Sequence, residues 1–239
     1  MLRTACLMGA GLLGAVLCPA QFLPTLQANT PEEYVAYLDV VEAPGPQQTL
    51  AAAAKFARDW PQSELLVSVH EIEMQSALAL GDGAAALRAG AAALRAAPDY
   101  IPVLAAMASL LPNETSDPAR IARAEEYARR ALDLLTAYRP PRRIKLEDWE
   151  RAERAVKAQC HAALGMVAYK RGRTDEAIRE FEAAVALAPE PDAVQCYRLG
   201  LLYQEKGNRE AATEKLQQAA RHGNAAIRRL AEEALKRPR

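Results

Sequence analysis

Alanines seven residues apart punctuate this chain, at Ala86 and Ala93, Ala124 and Ala131, Ala177 and Ala184, and Ala212 and Ala219. Seven residues is two helical turns, so each pair marks one face of a helix that something packs against closely. Ala, Leu, Glu and Arg fill the stretches around these pairs, the vocabulary of helices rather than of strands. The pattern predicts a short helix over residues 31–41, with Tyr34, Val35, Tyr37, Leu38 and Val41 as its apolar positions. An Ala-rich helix follows over 48–60 and stops at Pro61. Helices over about 102–111 and 119–136 flank a loop at 112–118, and a long helix runs over 147–171. Near the C terminus, residues 225–236 carry Ile227, Leu230 and Leu235 at helical spacing with a charged opposite side.

These elements repeat. Leu164-Gly165 returns as Leu199-Gly200, Gly172 as Gly207, Ala177 as Ala212, Phe181 as Leu216 and Ala184 as Ala219, at an offset of about 35. Small residues at Gly165, Ala177 and Ala184 admit close approach of two antiparallel helices, and Leu164 and Phe181 fill the space that remains. Gly172 suits a turn at positive φ, and Thr174-Asp175-Glu176 reads as the cap and acidic first turn of the next helix. Upstream, Gly81, Ala86, Ala93 and Pro98 keep the separations of Gly172, Ala177, Ala184 and Pro189. That unit, over 67–100, is divergent: Glu73-Met74 stands where Leu-Gly is expected, and Gly90 where Phe181 would fall.

The residues resemble the tetratricopeptide repeat family, with Leu164-Gly165, Ala177, Phe181, Ala184 and Pro189 in one repeat and Leu199-Gly200, Tyr203, Ala212 and Ala219 in the next. His161 and Cys196 replace the family's first aromatic residue. The resemblance implies an all-α fold, a right-handed superhelix of helical hairpins, and five segments. Residues 21–66 form a capping helix and half repeat after the leader at 1–20, and 67–136 form two divergent repeats. A Pro/Arg-rich linker at 137–146 separates these from two clear repeats and a capping helix at 147–239. The first helix of each hairpin would line a groove, at Glu71, Gln75, Met166, Tyr169, Tyr197, Leu201 and Gln204. These positions imply a protein or peptide partner, with no cofactor. Lys145 and the arginines of the linker are expected to be solvated, the other reading being contact with an acidic partner or lipid headgroups.

Composition narrows the classes further. The chain has 239 residues, 51% of them apolar, enough for a sizeable core. Thirty basic and thirty acidic side chains cancel, leaving no global field to hold nucleic acid or an anionic bilayer. The first twenty residues carry Arg3, an apolar run from Ala5 to Leu17, and Cys18-Pro19-Ala20, the three parts of a bacterial-type secretory signal cut before Gln21. Export to the periplasm or cell envelope is therefore expected. Two other fates fit the segment: an uncleaved N-terminal anchor, and a lipoprotein acylated at Cys18, although Leu17 stands where a small residue belongs. Cys160 and Cys196 would remain in the mature chain, as buried apolar side chains or, in an oxidising compartment, as a disulfide.

Catalytic constellations are missing from the sequence. There is no His-Glu-x-x-His, no Cys-x-x-Cys and no Gly-rich phosphate loop. His70 and His161 occupy packing positions on separate repeats, so neither metal nor catalytic roles are assigned. The expectation is a non-catalytic scaffold that binds a partner along the groove. One rival is an envelope enzyme acting on polysaccharide, with Glu71 as its groove acid; another is a membrane-anchored assembly factor.

Overall fold

The computed structural model describes residues 26–140 and 144–236. Among these the chain forms eleven helices and no strand, and it divides into two compact units, one within Phe22–Val103 and one within Leu104–Arg239. The fold is all-α and built of tetratricopeptide-type hairpins. The N-terminal leader lies outside the described residues.

In the first unit α1 (Pro31–Val41), α2 (Pro46–Asp59), α3 (Leu66–Ala79) and α4 (Gly83–Ala96) pack in chain order. A reciprocal cap starts α1: Thr30 Oγ1 accepts the Glu33 N–H at 3.1 Å, and the Glu33 carboxylate accepts the Asn29 N–H at 2.6 Å. Val40, Ala53, Phe56, Leu65 and Val69 form the core here, with Tyr37 edge-on to Phe56 at 6.4 Å. Tyr34, Val35 and Val41, three of the apolar positions on α1, face solvent instead.

Glu71 is the main departure in this unit. Its position in the repeat assigns it to an open groove, yet its side chain is buried, with only 3% of the residue exposed. The Tyr100 hydroxyl donates to Glu71 Oε2 at 2.6 Å, and Gln75 Nε2 donates to Oε1 at 3.4 Å. Burial pushes the carboxyl up to about 7, against the opposing effect of the Tyr100 hydrogen bond.

Helix α5 (Ile101–Glu114) begins in the first unit's residues and continues in the second's. It passes through Pro112, where the sequence predicted its end and a seven-residue loop. Proline removes one donor and crowds the carbonyl four residues back, but here only Asn113 and Glu114 follow it in the helix. The Asn113 side-chain amide donates to the Ser109 carbonyl at 2.6 Å, and the Thr115 N–H reaches the Leu111 carbonyl at 3.1 Å. The first adds a side-chain bond over the last turn, and the second closes that turn.

The second unit runs through α6 (Pro118–Ala137), α7 (Leu146–Lys170), α8 (Thr174–Leu187), α9 (Ala193–Glu205), α10 (Arg209–His222) and α11 (Ala225–Leu235), each packed on the next. The first turns of α7 carry buried Trp149, whose ring stacks on Tyr138 with centroids 5.0 Å apart. The linker thus starts with an anchored aromatic side chain. Arg142 and Arg143 lie outside the described residues.

Three hairpins share one turn. Gly81, Gly172 and Gly207 sit at φ of 75°, 70° and 77°, a region open to glycine without steric cost. At the middle turn the Gly172 N–H bonds to the Tyr169 carbonyl and the Arg173 N–H to the Ala168 carbonyl, both at 2.9 Å, which is the Schellman pattern. The residue after each glycine is already the N-cap of the following helix. Asp82 accepts from the Ala85 N–H at 2.8 Å and Asn208 from the Ala211 N–H at 3.2 Å. In the middle hairpin the cap is Arg173, not Thr174 as the sequence pattern implies, and it makes no side-chain capping bond. Its guanidinium instead pairs with Glu176 at 2.8 Å.

Between the helices of a hairpin the fit is tight. A Cβ placed on Gly165 would lie 2.9 Å from the Phe181 ring, and one on Gly200 would lie 2.7 Å from Leu216. Phe181 and Leu216 are buried, as are Ala177, Ala184, Ala212 and Ala219 beside them. The upstream hairpin inverts the pair: the large residue, Met74, stands on the first helix and the glycine, Gly90, on the second, both buried. The divergence read from the sequence is an exchange of volumes between two facing helices.

Two measurements follow from this packing. Phe181→Ala is expected to cost about 3–5 kcal/mol, and Gly165→Ala about 1–3 kcal/mol by overpacking. Introduced into the Phe181→Ala background, Gly165→Ala should cost less than alone, because its Cβ then enters vacated space; additive denaturation midpoints would refute the contact. For Glu71 the folded pKa lies above the ordinary one. The protonated carboxyl therefore stabilises fully below pH ~4.5, and that contribution is lost as pH rises through about 7. Glu71→Gln should flatten the decline in stability between pH 5 and pH 8, raising it at pH 8 by up to about 3 kcal/mol in urea titrations.

Candidate functional site

The residues implied as a groove divide between the two units. Glu71 and Gln75 belong to the first, where Glu71 is buried and Gln75, itself exposed, donates to it. In the second, α7 and α9 are the first helices of successive hairpins, and their residues show three different environments. Tyr169 on α7 is 50% exposed and Leu201 on α9 is 36% exposed, unusual for large apolar side chains in a unit whose other apolar residues are mostly covered. Met166 is half-buried against the cluster of Ala168, Ala177, Phe181, Leu199 and Leu202. It packs between neighbouring hairpins.

Tyr197 and Gln204 are engaged by the C-terminal helix. Tyr197 packs with Cys196, Ala219 and Ala231, and Gln204 Nε2 donates to the Ala234 carbonyl at 3.0 Å. Helix α11 occupies the place where a further hairpin would stack, so both residues serve the end cap. The available surface on these two helices narrows to Tyr169, Leu201 and their polar neighbours.

Those neighbours were not singled out by sequence reasoning. Arg198, three residues before Leu201, extends to the end of α5, where Nη2 donates to Asn113 Oδ1 at 3.1 Å and Nη1 to Gln195 Oε1 at 3.4 Å. Lys170, next to Tyr169, donates from Nζ to Ser116 Oγ at 3.2 Å. Side chains of α7 and α9 therefore converge on the 113–116 segment and share one surface with it. Desolvation lowers the Arg198 pKa from its ordinary value, partly opposed by Asp192. Asp192 itself caps α9, accepting the Val194 and Gln195 N–H groups at 3.0 Å. The signal that could have marked Arg198 is its spacing from Leu201 on the same helix face.

Other polar contacts in the unit fix helices rather than form a site. Arg171 on α7 and Arg129 both bond to Glu125 on α6; desolvation pushes that carboxyl up, but the two guanidiniums hold it below its ordinary range. His161 Nδ1 lies 2.8 Å from Glu180 Oε2, and in the first unit His70 Nδ1 lies 2.9 Å from Glu73 Oε2. Each histidine is half-buried and partnered by one carboxylate. Cys160 and Cys196 are free and buried, and burial pushes the Cys160 thiol up to about 12, far from a reactive thiolate at neutral pH. Among the described residues no group of three His, Cys, Asp or Glu side chains could hold a metal ion.

Comparison with known proteins agrees with this geometry. Residues 158–191 match one family model for the tetratricopeptide repeat, and residues 196–221 match a second. These spans cover α8, nearly all of α10, and the C-terminal parts of α7 and α9 that precede them. No curated protein sequence matches the chain. Among solved structures, MamA from Desulfovibrio magneticus RS-1 is similar over 86% of this chain and 98% of its own, at 14% identity and a TM-score of 0.57. YrrB, described as a TPR protein with an unusual peptide-binding site, is similar over 88% of this chain and 93% of its own, at 20% identity and a TM-score of 0.56. PilF of Pseudomonas aeruginosa is similar over 85% of each chain, at 14% identity and a TM-score of 0.56. At these identities the likeness concerns the fold, and the repeats matched in sequence lie on the hairpins where Gly165 meets Phe181 and Gly200 meets Leu216. The chain thus carries two tetratricopeptide repeats, at residues 158–191 and 196–221, in a fold similar to that of tetratricopeptide repeat proteins.

Proposed function

We propose that this protein is a non-catalytic scaffold of the periplasm or cell envelope that binds a peptide or protein segment on the face formed by α7 and α9. Tetratricopeptide repeats are generally protein-interaction modules, and the unusual peptide-binding site of YrrB is in keeping with that use. The observation that carries the reading is the exposure of Tyr169 and Leu201 on adjacent first helices. Tyrosine and leucine side chains left open in a well-packed repeat bury considerable apolar area when a partner covers them. Glu71, enclosed by Tyr100 and Gln75, offers no open carboxylate for hydrolysis, which disfavours the enzyme reading. Export rests on the leader at residues 1–20. Among the described residues no helix is long and apolar enough to cross a membrane.

Two experiments address the proposal. Partner recovery from an envelope fraction should fall at least fivefold for the Tyr169→Ala/Leu201→Ala double variant with its melting temperature unchanged, and equal recovery would remove this face. Mass spectrometry of the mature protein should find Gln21 at the N terminus; an intact Met1 would instead indicate a retained anchor.

A further inference from the structure

Glu71 is an acid closed off from water whose partners are neutral. The Tyr100 hydroxyl and the Gln75 amide bond to its two oxygens, and among the described residues no basic side chain ion-pairs with it. The helices packed on α3 are α1, α2 and α4. Lys55, Arg58 and Asp59 on α2, Arg88 and Arg95 on α4, Asp99 in the turn before α5, and Glu32, Tyr34 and Asp39 on α1 are all exposed, so none faces the buried carboxyl. Glu33 on α1 is held in its own cap, and the Tyr37 hydroxyl lies 2.9 Å from Ser68 Oγ. On α3 itself His70 and Glu73 pair with each other.

Such a site suits a neutral acid and not a charge. Once ionised, the carboxyl would be an anion in a dry site with two uncharged donors. Burial pushes it up to about 7, which means that desolvation outweighs what the Tyr100 bond returns. Ionisation near neutrality therefore favours an arrangement that lets water reach the carboxylate. Helix α3 is poorly placed to yield, because Val67, Ser68, Val69, Met74 and Ala77 on it are also buried. The opposite wall is weaker. Residues 97–100 form a short turn, held internally by the Tyr100 N–H on the Ala97 carbonyl at 3.2 Å, with Pro98 and Asp99 exposed. The Tyr100 side chain is what ties this turn to α3 at Glu71.

We propose that Glu71 and Tyr100 form a pH-sensitive latch in the first unit: the protonated carboxyl keeps residues 97–100 and the start of α5 closed on α3, and its ionisation releases them to water. The folded pKa lies above the ordinary 4.5, so the latch is fully closed below that value and is lost as pH rises through about 7. The loss is local. It opens one turn at neutral pH while the rest of the unit stays folded, and that distinguishes it from a general loss of stability. The device does not depend on the binding role proposed for α7 and α9.

The test follows the full chain from pH 5 to pH 9. A carbon-13 titration of the glutamate carboxyls, with Glu71 assigned by its absence in Glu71→Gln, should place its midpoint near pH 7. In parallel, hydrogen exchange is measured as protection relative to the unfolded chain at each pH. The amides of Tyr100 and Ala105, which bond to the Ala97 carbonyl and by helical geometry to that of Ile101, should lose about tenfold protection between pH 6 and pH 8. The amides of Val69 and Ala86, bonded to the Leu65 and Asp82 carbonyls, should keep theirs. Glu71→Gln should hold the turn closed throughout. Tyr100→Phe removes the donor that favours the carboxylate, so it should move the Glu71 midpoint to higher pH, which a tyrosine that only fills space would not do. A Glu71 midpoint in the ordinary carboxylate range, unchanged protection at Tyr100 between pH 6 and pH 8, a loss shared equally by Val69 and Ala86, or a loss that survives in Glu71→Gln would each overturn the inference. The first three outcomes need only the unaltered chain, so they decide the matter even if a variant does not fold.

Discussion

Everything in the hairpins depends on how close two antiparallel helices come to each other. At Gly165 and Gly200 the separation leaves no room for a methyl group, and Phe181 and Leu216 occupy what a side chain would have taken. Close packing of this kind brings many weak dispersion contacts to their optimum together, and it also fixes the rotation of each helix about its axis. Once α7 is rotated so that Gly165 meets Phe181 and Ala168 is buried, Tyr169, roughly 100° round the helix from Ala168, is left exposed. The exposed face is a by-product of the buried one.

The same constraint explains the first unit's irregular hairpin. Met74 and Gly90 keep one large and one glycine residue at the facing positions while reversing which helix carries which. Interior volume is conserved although both letters of the repeat pattern are lost. What the repeat requires at this level is a sum of sizes across the interface, and more than one assignment of residues satisfies it.

Much of the framework was legible in the chain, and the reasons are local. Alanines at seven-residue spacing and glycines that need positive φ encode helix faces and turns within a few residues of themselves, so Ala177, Ala184 and Gly172 predict their own environments. Side chains whose surroundings come from a later element were not legible. Glu71 reads as a groove residue until Tyr100, twenty-nine positions on, encloses it. Tyr197 and Gln204 read as open until α11 packs beside them, and Arg198 means little without Asn113, eighty-five positions away. Pro112 was misjudged for a related reason, because proline breaks a helix in proportion to how much helix remains, and here almost none does. The cap lies one position before Thr174, since the pattern marks a capping residue type but not which residue is the last outside the helix.

The shared turn has a consequence for how such a chain can vary in length. Because the residue after each positive-φ glycine closes one helix and opens the next, the bend has no spare residue, and an insertion there would separate the two roles and rotate the second helix away from its partner. Stretches that join one hairpin to another, such as residues 97–100 and 188–192, carry no such double duty. Lineages of this protein are therefore expected to gain and lose residues at the seams between hairpins while the bends inside them stay fixed in size.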